Sequence, residues 1–147
     1  LILKKEFGRS LPPVTADPKM IRIVLENLLS NSMKYTPVGG TITFGVRKAK
    51  AEESKKPGEF LLITVQDTGY GIPASQQSTI FTKMFRADNA KTIDADGTGL
   101  GLYIAKAVVD RSGGKIWFTS KEKIGTTFSV LLPVKSKLES KGNKPLI

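Results

Sequence analysis

Three polar side chains with helical spacing are the first residues in this sequence that could bind a ligand. Asn27, Asn31 and Lys34 recur at i, i+4 and i+7, so they share one line along a helix. The same line begins with the apolar residues Met20 and Ile23. A helix seam that changes from apolar to amide and ammonium halfway along is typical of a pocket wall, although polar residues facing solvent would give the same pattern.

A second candidate is the carboxylate of Asp67, which directly follows an apolar run. Asp67 has the same parity as Ile63 and Val65, so it should point with them toward the core. A buried carboxylate is costly without a partner. Gly69 and Gly71 permit a tight turn and the close approach of a flat ligand. A plain turn capped by an Asp is the alternative, because D-x-G alone is a weak signal.

A third candidate is the glycine-rich run at residues 97–102, GTGLGL, which opens a helix. Backbone N–H groups at a helix N-terminus, together with the helix dipole, form a site for phosphate. Glycines before a helix are common, so the run alone is a moderate signal. The preceding polar segment at 87–98 is a candidate lid between two helices.

The elements that must position these residues follow from periodicity and from breaking residues. Asp17 as N-cap and Pro18 in the first turn begin a helix that runs to Tyr35. Its buried stripe is Ile21, Val24, Leu25 and Leu28. Strands are predicted at 1–7, 41–47, 60–66, 115–120 and 126–132, with a loop at 48–58 and a short helix at 75–85. A further helix is opened by the run at 97–102, continues to about 112 and is ended by Gly113 and Gly114.

This order of elements predicts an α+β fold. Three helices should cover one face of a mixed, mostly antiparallel sheet in a two-layer sandwich. A Rossmann unit and a P-loop are both excluded, because GxxxxGK[ST] is missing and no strand is followed by GxGxxG in a βαβ unit. We expect one domain over residues 1–134 and a flexible tail over 135–147.

Composition limits the chemistry that this chain can perform. The 147 residues include no Cys and no His, which excludes disulfides, thiol and His-based metal sites, and Ser-His-Asp triads. The net charge of +10 could serve nucleic acid, a membrane surface or a phosphorylated ligand, or could be spread over solvated lysines. With no initiator Met, no signal-peptide pattern and no long apolar run, we expect a piece of a longer protein.

Four blocks of the sequence, taken in order, resemble the ATP-binding catalytic domain of bacterial sensor histidine kinases. The wider GHKL superfamily, with the Bergerat fold, also includes gyrase, Hsp90 and MutL. The resemblance covers roughly residues 1–134, and four blocks in register are far more specific than any one of them. The blocks are NLLSNSMKYTP at 27–37, DTGYGIP at 67–73, IFTKMFRAD at 80–88 with DGTGLGLYIAKAVVDRSGGKIWF at 96–118, and GTTFSVLLP at 125–133.

The resemblance implies that the chain binds ATP and Mg²⁺, and it assigns roles to residues around the base. Asp67 would accept a hydrogen bond from the exocyclic amine of adenine and so select adenine over guanine. Tyr35 would lie along the base, and Thr126 would contact it through water. Gly69 and Gly71 would let the base approach, with Ile72 lining the pocket.

The resemblance also assigns residues to the phosphates and the metal. Asn31 would coordinate Mg²⁺ through its side-chain oxygen, and Asn27 would support the phosphates or the metal's waters. Lys34 and Arg86 would reach the phosphates as charges. The run Gly97, Thr98, Gly99, Leu100, Gly101 and Leu102 would hinge the lid and offer backbone N–H groups to the phosphates.

Two positions bear on the reaction. Asn27 stands where gyrase-like and Hsp90-like members have a Glu that activates water, and Asn cannot act as a general base. Glu26 is displaced by about 100° around the helix and should not substitute. The resemblance therefore favours phosphoryl transfer over hydrolysis. Met84 stands where the family usually has an aromatic residue, so we expect the lid to dock more loosely while the site survives.

Because the chain has no His, the phosphoacceptor must lie outside it. The resemblance implies that it lies on a histidine-bearing dimerisation domain of the same parent protein, and that this chain is a cytoplasmic portion of a parent that is membrane-anchored in many family members. That domain would also supply the catalytic acid or base, and a response regulator receiver domain would act downstream. A free-standing GHKL ATPase or an anti-sigma-type serine kinase is the alternative. A nucleic-acid-binding module is a second alternative, but this chain shows no recognition fold and no interleaved aromatic and basic surface. A degenerate regulator is disfavoured by the intact Asn31, Asp67 and GTGLG run. Direct membrane contact is not expected.

Overall fold

The computed structural model describes residues 1–82 and 100–135. Within those ranges, five strands and two longer helices form most of the fold, as the sequence predicts. The strands are β1 (Ile2–Phe7), β2 (Thr41–Lys48), β3 (Phe60–Asp67), β4 (Lys115–Lys121) and β5 (Gly125–Pro133). The helices are α1 (Pro18–Tyr35), α2 (Ala51–Ser54) and α3 (Gly101–Arg111), with a 3₁₀ helix at Ala74–Thr79.

The strands form one mixed sheet in the order β1-β2-β3-β5-β4. β1 runs parallel to β2, and the other three pairings are antiparallel. β3 is the central strand, so its last residue, Asp67, is flanked on both sides: it pairs with Ile42 of β2 and with Thr126 of β5. The predicted α+β architecture is confirmed. The topology places Asp67 at the C-terminal end of the central strand, between β2 and β5.

Helix α1 begins and ends where its sequence indicates. The Asp17 carboxylate accepts a hydrogen bond from the N–H of Lys19 over 2.9 Å, and Pro18 occupies the first turn. The helix ends at Tyr35, because Thr36 is extended and Pro37 follows it. The predicted apolar stripe is confirmed: Val24 and Leu28 are fully buried, and Ile21 and Leu25 pack partly buried against the core.

Helices α1 and α3 cover one face of the sheet over a shared apolar core. Ala105 and Val109 of α3 are fully buried there, beside Ile63, Val65 and Phe128 of the sheet. The Ser112 hydroxyl donates to the Val108 carbonyl at the helix end, where the predicted Gly113-Gly114 stop is confirmed. No helix in the described ranges is both long enough and apolar enough to cross a bilayer.

The connection between β2 and β3 contains a helix that the sequence did not predict. Residues 48–58 were expected to form a loop, yet α2 forms within them. Glu53 explains it, because its carboxylate accepts two hydrogen bonds of 2.7 Å from Arg47 and one of 2.8 Å from the Lys50 N–H. The opposite sheet face carries a smaller apolar cluster, namely Phe60, Leu62 and Leu131 with Ala49 and Trp117.

The helix predicted at 75–85 is wrong in type and extent over the residues that can be checked. A 3₁₀ helix runs over Ala74–Thr79, and from residue 83 the segment lies outside the described ranges. The hydroxyls of Thr79 and Thr82 each donate to the carbonyl three residues earlier, at 3.1 and 2.6 Å. Such local side-chain bonds compete with α-helix formation, so the segment tightens into 3₁₀ geometry.

Candidate functional site

The C-terminal end of α1 is joined directly to the turn that follows β3. The N–H of Tyr70 donates to the Tyr35 carbonyl over 3.1 Å. A side chain at Gly69 would overlap that same carbonyl and would come within 2.9 Å of Asp67 Oδ1. Thr68 ties the turn to β2, since its hydroxyl accepts the Thr41 N–H at 2.9 Å. The turn therefore requires glycine at position 69 because α1 and Asp67 enclose it.

Asp67 is buried, as its parity in β3 predicts, with 8% of its surface exposed. One carboxylate oxygen, Oδ1, accepts the N–H of Gly69 at 2.9 Å and the N–H of Thr126 at 3.1 Å. In the part of the chain that the structure describes, no group donates to Oδ2. The carboxylate is therefore fixed by backbone groups through one oxygen, while the other oxygen is left as an acceptor.

Burial raises the pKa of Asp67 above its usual value, because it penalises the charged form. The N–H groups of Gly69 and Thr126, and the Ser32 hydroxyl, lower the pKa and so oppose that shift. The Ser32 hydroxyl lies close enough to act on the carboxylate, yet it does not meet the distance and angle of a hydrogen bond. Asp67 is thus a buried acceptor whose ionised form depends on a few neutral donors.

The turn that follows Asp67 is held against the β4–β5 hairpin. The Ile72 N–H donates to the Ser120 hydroxyl at 2.8 Å, and Ser120 Oγ lies 2.7 Å from Thr126 Oγ1. The Gln77 side chain donates to the carbonyls of Ile72 and Ser120, both at 3.0 Å. Gly71 has φ +70°, and a side chain there would overlap the Lys121 carbonyl. These contacts hold the backbone of Ile72, which the sequence predicts to line the pocket, in one position.

Thr126 has two contacts in this arrangement. Its N–H positions Asp67, and its hydroxyl pairs with Ser120. The expected water-mediated contact from Thr126 to adenine stays a prediction, while the backbone contact gives this residue a positioning role that the sequence did not indicate.

Asn27, the first polar residue of the line along α1, lies beside the N-terminus of α3. The Asn27 side chain donates through Nδ2 to the Ile23 carbonyl over 2.8 Å. Its Oδ1 lies only 2.7 Å from where a side chain at Gly101 would begin. Asn31 is half-buried, and its amide has no hydrogen bond to any side chain or backbone group in the described ranges; Lys34 is exposed. The amide oxygen of Asn27 therefore lies beside the start of α3, and Asn31 follows one turn later on α1.

Helix α3 begins at Gly101, after Leu100, and no described side chain caps its first turn. The start of α3 lies beside Asn27, and the phosphate contacts expected of Leu100, Gly101 and Leu102 stay predictions. The other residues predicted for that site lie outside the described ranges: Arg86, Gly97, Thr98 and Gly99, together with Met84, the lid segment at 87–98 and the tail from 136.

Metal binding would rest on few protein ligands. Among residues 1–82 and 100–135, no group of three or more acidic, His or Cys side chains is arranged to hold a metal ion. A half-buried amide oxygen at Asn31 fits Mg²⁺, which usually keeps several waters and takes most other ligands from phosphates. The residues present therefore fit a metal that arrives with a nucleotide rather than a metal held by the protein alone.

Sequence analysis missed three residues that shape the site. Ser120 and Gln77 are polar residues in segments predicted only by their apolar periodicity, and their role depends on contacts 43–48 residues apart in the chain. Ser32 lies within α1, one turn before Thr36, and the Thr36 hydroxyl donates to its carbonyl over 2.6 Å. A break in the apolar pattern inside the buried stripe was the one available signal for Ser32.

Comparison with known proteins gives a consistent result. The profile of the family described as histidine kinase-, DNA gyrase B-, and HSP90-like ATPase matches residues 16–136. Over 138 residues the chain is 42% identical to sensor histidine kinase WalK of Bacillus subtilis (strain 168), covering 91% of this chain and 22% of that protein. It is 37% identical to adaptive-response sensory kinase SasA of Synechocystis, covering 91% of this chain and 33% of that protein.

Solved structures show the same fold. The mycobacterial sensor histidine kinase MprB superposes with a TM-score of 0.74 at 25% identity, covering 99% of this chain and 85% of that chain. A nucleotide-free catalytic domain of histidine kinase ThkA gives a TM-score of 0.72 at 27% identity, covering 91% of this chain and 79% of that one. The chain spans between a fifth and a third of the length of the two curated relatives.

Proposed function

Because this chain belongs to the histidine kinase-, DNA gyrase B-, and HSP90-like ATPase family, as an ATP-binding catalytic domain of the sensor histidine kinase type, we propose that it binds Mg-ATP and donates the γ-phosphoryl group to a histidine on a separate dimerisation domain. The observation that carries this proposal is the Asp67 carboxylate. It is buried beside Gly69, held through Oδ1 by two backbone N–H groups, and left with Oδ2 as an acceptor.

The buried acceptor suits an adenine base. The exocyclic amine of adenine would donate to Oδ2 of Asp67, whereas guanine would present a carbonyl oxygen to the same atom and be repelled. Gly69 lets the turn pack against the Tyr35 carbonyl beside that carboxylate, and Ile72, held by Ser120, would supply an apolar wall for the base. Tyr35 would lie along the base, and Thr126 would contact it through water.

The triphosphate would extend from the base toward α1 and the start of α3. Asn27, Asn31 and Lys34 would face it from α1, and the N–H groups of α3 would meet it from the other side. When bound, Mg²⁺ supplies charge neutralisation between the phosphate oxygens, and Asn31 would hold it. This chain's residues would otherwise only position the nucleotide, which is the larger part of catalysis in phosphoryl transfer.

In the transfer step, a ring nitrogen of the acceptor histidine would attack the γ-phosphorus. The bond from that phosphorus to the bridging oxygen would break, and ADP would leave with the electron pair. A carboxylate of the dimerisation domain would take the proton of the attacking imidazole. The phosphoryl group would then pass to a receiver domain of a response regulator.

Hydrolysis is the competing reaction, and Asn27 argues against it. Its Nδ2 is engaged with the Ile23 carbonyl over 2.8 Å, and an amide oxygen cannot take a proton from water near neutral pH. This residue therefore suits the positioning of phosphates or metal-bound water.

Phosphorylation of the parent protein's own histidine-bearing dimerisation domain tests the proposal. The two polypeptides are mixed with γ-labelled Mg-ATP, and the labelled protein is treated with acid and with alkali. Histidine transfer predicts a label on the dimerisation domain that is lost in acid and kept in alkali, and that is absent with Asp67→Asn. An acid-stable label would indicate a serine kinase, and release of free phosphate alone would indicate an ATPase.

A further inference from the structure

Ser32 is a buried residue of α1 whose hydroxyl has no partner. It is 2% exposed, and within residues 1–82 and 100–135 its Oγ is the one fully buried side-chain oxygen or nitrogen without a hydrogen bond. Buried hydroxyls in folded proteins almost always have a partner, because an unpaired one loses its bonds to water and gains nothing in return. An exception of this kind calls for a physical reason.

The surroundings of Ser32 supply one. Its hydroxyl acts on the Asp67 carboxylate, the buried acceptor on which the proposed adenine contact depends. Three groups face that carboxylate: the Gly69 N–H from the turn, the Thr126 N–H from β5 and the Ser32 hydroxyl from α1. In the described ranges, no charged side chain from any of these elements acts on Asp67.

The two oxygens of Asp67 are unequally supplied with donors. Oδ1 accepts both backbone N–H groups, whereas Oδ2 accepts none from the described residues. A hydroxyl carries one proton and can rotate to direct it at a neighbouring oxygen. Donation to a buried carboxylate favours its ionised form, and only that form presents Oδ2 as an acceptor without a competing O–H.

We propose that Ser32 is a positioning residue for adenine recognition, whose hydroxyl is the third donor for the Asp67 carboxylate and keeps Oδ2 an acceptor for the exocyclic amine of the base. This inference rests on the proposed nucleotide-binding function. In the free chain this buried hydroxyl lacks a hydrogen bond, so the residue costs stability there.

The test compares Ser32→Ala with Ser30→Ala in the whole chain. Ser30 is on the same helix, but its hydroxyl donates to the Asn27 carbonyl over 3.3 Å and does not face Asp67. Calorimetry measures the affinity for Mg-ADP and for Mg-IDP, which has a carbonyl in place of the amine, between about pH 5 and pH 8. Thermal unfolding without nucleotide is measured for each variant.

For Ser32→Ala we expect affinity for Mg-ADP to fall about three- to tenfold, the usual effect of one buried hydrogen bond. Removing a donor raises the pKa of Asp67, so the loss of binding at acid pH should begin at a higher pH than in the wild type. Preference for ADP over IDP should shrink. The unfolding temperature should stay the same or rise, because an unpaired hydroxyl has been removed, and Ser30→Ala should bind ADP as the wild type does.

Three outcomes would overturn the inference. Wild-type affinity and pH profile in Ser32→Ala would remove Ser32 from recognition while leaving the proposed function intact. A parallel loss of affinity and unfolding temperature, with the pH profile unmoved, would show a role in packing alone. Failure of the wild-type chain to bind Mg-ADP would overturn the proposed function and this inference with it.

Discussion

The N–H of Thr126 donates to Oδ1 of Asp67 over 3.1 Å, so the start of β5 holds the carboxylate that ends β3. Together with the Gly69 N–H, this contact fixes the oxygen that faces the backbone and leaves the other oxygen to face a ligand. A substitution that keeps a carbonyl oxygen in the Oδ1 position should therefore preserve the scaffold and change only the ligand-facing atom.

Asp67→Asn should reveal the cost of burying this carboxylate. Burial raises the pKa of Asp67, so as pH rises the unfolded chain releases its proton first, near pH 4, and the folded chain later. The wild type should thus become less stable relative to Asp67→Asn as pH increases from about 3.5 to 7. Denaturant unfolding across that range measures the difference in unfolding free energy between the two proteins. An unfolding free energy of the wild type that rises with pH relative to that of the variant would contradict the direction of the pKa shift.

Gly71→Ala should damage both the fold and the site. Gly71 has φ +70°, and its new side chain would also overlap the Lys121 carbonyl. Gly58→Ala is a matched control, because Gly58 has φ +97° with nothing within 4 Å of the added carbon. The control should lose about 1 kcal/mol of unfolding free energy from backbone strain alone, and Gly71→Ala should lose clearly more and weaken nucleotide binding. Equal losses would show that the contact with Lys121 does not constrain the turn.

Gly101→Ala should separate stability from binding. Its side chain would stand 2.7 Å from Asn27 Oδ1 and would break the bond from Asn27 to Ile23. That loss, about 1 kcal/mol, is offset by a similar gain in helix propensity, so unfolding free energy should change little while affinity for Mg-ATP falls.

The double variant Asn27→Ala/Gly101→Ala relieves the overlap but removes the amide. Both variants lack the bond to Ile23, so their unfolding free energies should agree within about 0.5 kcal/mol, and the double variant should not regain affinity for Mg-ATP. Wild-type affinity in Gly101→Ala would mean that Asn27 and the start of α3 do not act together on the phosphates.

Glu53→Gln should destabilise the hairpin connection and leave nucleotide binding unchanged. The Arg47 guanidinium holds the pKa of Glu53 at about 2, below its unfolded value, so the contribution is present above about pH 4.5 and is lost as pH falls toward 2. The pair is on the surface, so we expect a loss of only about 0.5 kcal/mol at pH 7. Glu52→Gln is the neighbouring control. An effect that is undiminished at about pH 2, or a change in affinity for Mg-ATP, would count against this assignment.

Local signals in the sequence were sufficient for features that depend only on residues within one helix or strand. Asp17, Pro18 and the stripe through Val24 and Leu28 specify α1, and the parity of Asp67 in β3 correctly predicts that it is buried. The glycines at 69 and 71 have the restricted surroundings that their spacing indicates. Each of these conclusions needs only neighbours in the chain and the period of one element.

Other features depend on contacts between distant segments. The 3₁₀ helix at Ala74–Thr79 results from threonine hydroxyls and from Gln77 reaching Ser120, 43 residues away. The helix α2 forms because Arg47 and Glu53 meet across the connection. In the sequence, Ser32 shows only a break in the apolar stripe of α1, and only the fold shows that its hydroxyl is buried without a hydrogen bond. The roles of Arg86, Gly97, Thr98 and Gly99 stay predictions.

Calorimetric titration of Mg-ATP and Mg-GTP into the wild-type chain and into Asp67→Asn tests the central claim most directly. The account predicts that the wild type binds Mg-ATP in the micromolar-to-millimolar range and does not bind Mg-GTP. Asp67→Asn, which replaces the Oδ2 acceptor with a donor, should lose at least about tenfold in affinity for Mg-ATP while remaining folded. Equal binding of the two nucleotides by the wild type, or unchanged binding of Mg-ATP by Asp67→Asn, would contradict the account.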